Sequence, residues 1–239
     1  MKTHPLYLED SYAKEMEASV LEVQPEGDKR WRVILDKTVF YPMGGGQPTD
    51  QGQLSSDDWN GKVYKVMMKE GEIWHYIESE QAPSADALIH GVINWDRRFQ
   101  HMRLHSAGHV VDFAMYLLGY SPNQLKPLKG DHGKKPYIVY DCTLGKDISK
   151  ELEEKANELV DKAIEFTCEF VPLSELEKDA IYLQPGLPTN KPLRKLTLED
   201  IGSVADGGTQ VKNTNEVGKI SILSVTEADG NTTVSYKLD

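Results

Sequence analysis

Along roughly the first ninety residues, apolar and polar positions alternate in short runs, the period-two pattern of strands with one buried face. The runs are "EASVLEVQ", "RWRVILDKTVFY", "KVYKVMMK", "EIWHYIE" and "ALIHGVINW". They are separated by "PEGD", "GGGQPTDQG", "SDDWNG" and "KEGE", all rich in turn formers. Strands this short and closely spaced predict a small β-barrel over residues 1–93. At Asp96 the period changes. In "DRRFQHMRLHSAGHVVDFAMYLLG" the apolar residues recur at helical spacing, with Asp96 placed to cap the start and Gly119 the end. Further on, the pattern predicts a strand near Pro136 to Leu144, a charged helix from about Ser149 to Glu165 and a strand at Phe166 to Val171. A short helix boxed by Ser174 and Glu177 follows. The final runs "KISILSVTE" and "TTVSYKLD" meet at Asp229-Gly230, a strong hairpin turn pair. Residues 94–239 therefore read as a second domain, and the fold class is α+β.

Composition narrows the picture. With 39% hydrophobic and 27% charged residues and no low-complexity tract, the chain has the make-up of a soluble globular protein. Neither an apolar leader in "MKTHPLYLED" nor a membrane-length apolar run is visible, so a cytosolic location without a membrane partner is expected. The net charge of −11 argues against a protein that coats long stretches of nucleic acid, but not against one that handles a single RNA end. Basic residues cluster locally. Arg97, Arg98 and Arg103 surround the long helix, Lys126, Lys129, Lys134 and Lys135 fall in one loop, and Lys191, Arg194 and Lys195 in another. Each cluster reads either as solvated surface or as a local contact for RNA. Cys142 and Cys168 lack CxxC spacing and sit in strand-like runs, so buried structural thiols are expected.

Candidate chemistry concentrates on the long helix, where His101, His105 and His109 recur every four residues. Four helical residues turn through only about 40°, which leaves successive side chains about 5–6 Å apart on one face. That is metal-ligand spacing, although it does not choose between His101/His105 and His105/His109. Asp206 and Gln210, also four apart, flank a Gly207-Gly208 turn and are candidates to complete the set. Two imidazoles and a carboxylate form an open metal site suited to hydrolysis. The run "MGGGQPTDQG" is no phosphate loop, because no Lys-Ser or Lys-Thr follows its glycines.

Three motifs, "HSAGH" at 105–109, "GGGQPTDQG" at 44–52 and "DGGTQVKNTNEVG" at 206–218, occur in an order that covers nearly the whole chain. Together they resemble the free-standing alanyl-tRNA editing proteins (AlaX type), relatives of the editing domain of alanyl-tRNA synthetase. The resemblance implies hydrolysis of the ester joining Ser or Gly to the alanine tRNA, with the tRNA acceptor end as partner. It implies zinc held by an HxxxH pair and a CxxxH pair, which assigns His105 and His109 to the first pair and Asp206 and Gln210 to the second. It also places Gly44, Gly45, Gly46, Gln47, Thr49 and Asp50 near the substrate. The backbone of Gly207 and Gly208 would steady developing charge, and Thr209 is a further candidate.

Two positions depart from that pattern. Asp206 replaces a thiolate with another anionic ligand that zinc accepts, whereas Gln210 replaces an imidazole with a poor ligand. Losing sulfur weakens the bias toward Zn²⁺ and admits Mn²⁺ or Fe²⁺. The alternatives are a vestigial site in a metal-free RNA-binding module, a metallohydrolase acting on another ester, and an editor of another aminoacyl-tRNA.

Overall fold

A computed structural model describes residues 3–120 and 127–239. The chain divides into two compact units, residues 1–101 and 102–239.

The first unit contains β1 (His4–Pro5), β2 (Glu15–Gly27), β3 (Arg30–Leu35), β4 (Lys37–Thr38), β5 (Gly52–Ser55), β6 (Asn60–Lys69), β7 (Glu72–Glu78) and β8 (Leu88–Ile93). Six of them close a barrel in the order β2-β3-β7-β6-β5-β8. Alternation places Val20, Val33, Leu35, Leu54, Val63, Ile73, Ile77 and Ile89 inside, all buried. The sequence pattern missed β5, a four-residue strand lying just after the glycine-rich segment. That segment is a tight turn: Gln47 N–H donates to Gly44 O at 2.8 Å, with φ of 52° at Gly45 and 77° at Gly46. Positive φ at consecutive positions is why glycines stand there.

Helix α1 (Trp95–Leu117) carries the chain from the first unit into the second. Its cap is Asn94 rather than Asp96, since Asn94 Oδ1 accepts the Arg97 N–H at 3.1 Å and Asp96 lies within the first turn. At its other end Gly119 takes φ 94°. The expected surface location fails for Arg98, which is fully buried. Its guanidinium bonds Asp50 Oδ2, Ser11 O and Val39 O, all inside the first unit.

The second unit adds β9 (Pro127–Asp131), β10 (Tyr137–Tyr140), α2 (Ser149–Asp161), β11 (Phe166–Val171), α3 (Leu173–Leu176), β12 (Leu193–Leu198), β13 (Gly202–Ala205), β14 (Ile220–Ala228) and β15 (Asn231–Leu238). One sheet runs β14-β15-β10-β9 and another β11-β12-β13. Both supposed basic loops contain strands: Lys129 belongs to β9, and Arg194 and Lys195 to β12, while Lys126 lies outside the described residues. Helix α2 buries Leu152, Ala156, Leu159 and Val160 and is tied to β14 by Asn157, which bonds both the N–H and the carbonyl of Ile220. The β14–β15 turn has φ 52° at Asp229 and 81° at Gly230, the geometry expected of that pair.

Two further expectations are corrected. Ser174 lies inside α3, which follows Pro172 and has no side-chain cap; the capping box belongs to Asn213 and Glu216. The cysteines are not buried: Cys142 is half-buried and Cys168 exposed, because β11 is the edge of its sheet. Crowding by surrounding protein still pushes the Cys168 thiol up to about 11, so it stays protonated and unsuited to nucleophilic attack.

Candidate metal centre

Helical periodicity aligns His105, His109 and Asp112 along one buried face of α1. The other half of the site comes from the β12–β13 pairing. Their ladder continues one residue past β13, with Asp206 N–H donating to Arg194 O at 3.0 Å, which sets the two side chains next to each other. Arg194 Nη1 then donates to Asp206 Oδ2 at 3.2 Å and to Gly208 O at 2.8 Å.

His105, His109 and Asp206 each present one donor atom, and the three atoms lie within 4.8 Å of one another. Asp206 Oδ1 is 3.4 Å from His105 Nε2 and 3.5 Å from His109 Nε2. Two ligands bound at about 2.1 Å to a tetrahedral cation are separated by about 3.4 Å, so these gaps match ligand-to-ligand edges. They are too long for good hydrogen bonds, and both ring nitrogens of His109 are buried without a hydrogen-bond partner among the described residues. A buried imidazole with no proton partner, facing a carboxylate across a ligand-sized gap, suits a divalent cation. His101 stands apart from the three; burial, helped by Arg97, lowers its pKa to about 4.

The electrostatics favour positive charge here. Burial opposes ionisation of Asp206, but His105, His109 and Arg194 outweigh it and hold the carboxyl well below its usual range. Burial likewise opposes a charge on His109, yet Asp112 and Asp206 prevail and raise it to about 9. His105 is driven the other way, its pKa lowered by burial that Asp206 only partly offsets.

An outer layer orients these groups. Asp112 Oδ2 lies 3.5 Å from His109 Nδ1, and its carboxylate accepts hydroxyls from Tyr140 at 2.7 Å and Tyr182 at 3.1 Å. This is the carboxylate–histidine pairing that supports metal ligands. Gln210 donates Nε2–H to Asp206 Oδ2 at 2.9 Å, while its Oε1 accepts the Ser106 hydroxyl at 2.6 Å. It therefore faces the carboxylate with an N–H, acting on Asp206 rather than presenting an oxygen. Gly208 N–H also donates to Asp206, at 3.1 Å to each oxygen, which leaves Gly207 as the exposed member of the turn; Thr209 is fully buried. His132 stacks on His105 with ring centroids 4.5 Å apart.

The sequence reading missed Asp112, His132 and the role of Arg194. Asp112 had a usable signal, an acid three residues after His109 on the same helix face. His132 had none, because a loop histidine far along the chain shares no period with α1.

In the first unit, Gly44 and Gly45 are exposed and Gln47 is buried. Thr49 Oγ1 accepts the Val66 N–H at 2.7 Å, and Asp50 Oδ2 accepts the Tyr41 N–H at 2.7 Å beside Arg98, so both residues hold the turn in place. Asp50 Oδ1 is buried without a partner among the described residues.

The fold and site define an α+β protein with a barrel unit and, in its second unit, a buried two-histidine, one-carboxylate donor set of a kind able to hold a divalent cation. Residues 9–97 match the family described as class II (A) tRNA synthetases. Over 228 residues the chain is 38% identical to the alanyl-tRNA editing protein AlaX-M of Saccharolobus solfataricus, covering 93% of each. It is 34% identical over 230 residues to the alanine–tRNA ligase of Halobacterium salinarum and 37% identical over 228 to that of Pyrococcus furiosus. The match takes in 93% and 92% of this chain but only 24% of each ligase. The chain belongs to the AlaX-M family of alanyl-tRNA editing proteins.

Proposed function

We propose that this protein is a metal-dependent deacylase that hydrolyses Ser or Gly from mischarged alanine tRNA, acting on the acceptor end. The observation that carries the reading is Asp206 Oδ1 placed 3.4 and 3.5 Å from His105 Nε2 and His109 Nε2, in a chain related along its length to an alanyl-tRNA editing protein. His105, His109 and Asp206 would hold the cation. Zn²⁺ is the first candidate, with Mn²⁺ or Fe²⁺ admitted by the carboxylate. When bound, such an ion polarises the ester carbonyl and lowers the pKa of a water.

The chain's own groups do the rest. Asp112 orients His109, while Arg194 and Gln210 hold Asp206 so that Oδ1 faces the histidines. With Gly208 N–H already donated to Asp206, the Gly207 amide is the backbone donor assigned to the developing oxyanion. Thr209, between that turn and Gln210 in the sequence, is assigned to the same stretch as a further candidate. In the first unit the Gly44-Gly45-Gly46 turn, exposed at Gly44 and Gly45, is assigned to substrate approach. Gln47, Thr49 and Asp50 are its support.

The test couples metal analysis to deacylation. Purified protein should hold up to about one equivalent of a divalent transition metal, consistent with one open three-ligand site. It should also release Ser or Gly from alanine tRNA far faster than Ala. His105→Ala and His109→Ala should each abolish metal uptake, and His101→Ala should not. A protein that binds the tRNA but neither takes up metal nor hydrolyses any ester would instead be an RNA-binding module.

A further inference from the structure

The two oxygens of Asp206 are held differently. Oδ2 accepts from Arg194 Nη1 at 3.2 Å and from Gln210 Nε2 at 2.9 Å, one donor for each of its two lone pairs. The Gly208 N–H lies 3.1 Å from both oxygens and does not distinguish them. Oδ1 therefore keeps a lone pair free of dedicated donors, and it faces His105 Nε2 and His109 Nε2 across 3.4 and 3.5 Å. Both donors to Oδ2 are themselves fixed. Arg194 Nη1 also donates to Gly208 O at 2.8 Å, and its side chain is only 5% exposed. The Gln210 amide is oriented by a relay: the Val211 N–H donates to Ser106 Oγ at 3.0 Å, and Ser106 gives its hydroxyl proton to Gln210 Oε1 at 2.6 Å. That leaves Nε2 to face the carboxylate. Turning both oxygens toward the histidines would break two hydrogen bonds in a buried setting.

A cation held by the histidines would thus meet one oxygen of Asp206. Two imidazoles and one carboxylate oxygen suit a small four-coordinate ion such as Zn²⁺, whereas Mn²⁺ takes octahedral, oxygen-rich surroundings and gains from a second carboxylate oxygen. We propose that Arg194 and Gln210 are positioning residues that lock Asp206 as a one-oxygen ligand and thereby widen the preference of the centre for Zn²⁺ over Mn²⁺. The inference rests on the metal site of the reading above. A carboxylate in place of sulfur loosens the choice of metal, and the hydrogen bonds on Oδ2 restore it through geometry. Geometry is separable here from charge. Arg194 is cationic and opposes every divalent cation alike, while Gln210 is neutral, yet both close the same oxygen.

The experiment titrates metal-depleted wild type, Arg194→Met, Arg194→Lys and Gln210→Ala with Zn²⁺ and with Mn²⁺, each against a chelator of known affinity. The visible spectrum of each protein loaded with Co²⁺, a spectroscopic stand-in for Zn²⁺, reports coordination number, and circular dichroism checks folding. Arg194→Met and Gln210→Ala should each lower the ratio of Zn²⁺ to Mn²⁺ affinity about 10-fold. Their Co²⁺ bands should lose the intensity of a four-coordinate ion as the freed Oδ2 adds a bond. Arg194→Lys, which keeps the charge and one donor, should recover part of both. Affinities that change by the same factor for both metals, with unaltered Co²⁺ bands, would show that the two side chains act by charge or packing alone and would overturn the proposal. If Arg194→Met does not fold, Gln210→Ala decides by the same ratio, because it leaves the Arg194–Asp206 pair in place. Wild type that takes up none of the three ions would defeat the metal-site reading and this inference with it. Wild type that binds Zn²⁺, with ratios unchanged in the variants, would defeat this inference alone.

Discussion

Gly108, the fourth residue of "HSAGH", is the sharpest place to test how the site is built. In the helix interior Ala is favoured over Gly by about 1 kcal/mol, so propensity alone predicts that Gly108→Ala stabilises α1. The tertiary environment opposes this. The new methyl would lie 2.5 Å from His132 Cε1, 2.9 Å from its Nδ1 and 3.0 Å from Tyr236 Oη. The imidazole cannot swing aside, because His105 covers it, Gly130 touches Nε2 and Tyr236 bonds Nδ1. Overpacking of this kind costs about 1–3 kcal/mol, and loss of the His132–Tyr236 bond adds about 1 kcal/mol. Set against the propensity gain, the net expectation is destabilisation of about 1–3 kcal/mol. Urea unfolding followed by circular dichroism at the helical band measures it. Tryptophan fluorescence serves as a control, since Trp31, Trp59, Trp74 and Trp95 all lie in the first unit. In a His132→Ala background the ring is gone, and the same substitution should become neutral or stabilising by up to about 1 kcal/mol. A neutral Gly108→Ala in the parent, or an equal penalty in both backgrounds, would refute the argument.

Asp206→Ala should lose both metal and deacylation. Gln210→Ala, which removes the donor to Asp206 and the acceptor of the Ser106 hydroxyl, should weaken metal binding by about 10-fold to 100-fold and keep measurable activity; an Asp206→Ala protein with full metal content would show the carboxylate is not a ligand. In the barrel, Arg98→Ala strands the buried Asp50 carboxylate and should destabilise the first unit by about 3–5 kcal/mol, read from the tryptophan transition; a change below about 1 kcal/mol would contradict the assignment. His75 is fully buried, and burial, partly offset by the Val33 carbonyl, lowers its pKa from 6.5 to about 4. The unfolded chain therefore binds more protons between those values, so the His75 contribution is fully present above pH 6.5 and lost as pH falls toward 4. That loss is on the order of 3 kcal/mol. A His75→Gln variant should show a flatter stability profile across this window, and parallel profiles for the two proteins would count against it.

The sequence by itself determined the elements whose signal is local. Alternation marked the longer barrel strands, helical spacing marked α1, and Asp229-Gly230 marked the last hairpin, because strand pleat, helix period and turn φ each act within a few residues. Spacing also brought forward His101, His105 and His109 with Asp206 and Gln210, and motif resemblance chose the His105/His109 pair that spacing left open. The tertiary structure decided what depends on distant neighbours. Arg98 and Arg194 read as surface charge until Asp50 and Asp206 are placed beside them. The short strands β5 and β13 carry too little pattern of their own and exist through pairing with β6 and β8, and with β12. His132 belongs to the site only because sheet and helix packing bring it onto His105, with glycines at 108 and 130 leaving the room. Contacts across such separations leave no period in the chain, which is why they emerge only once the fold has closed.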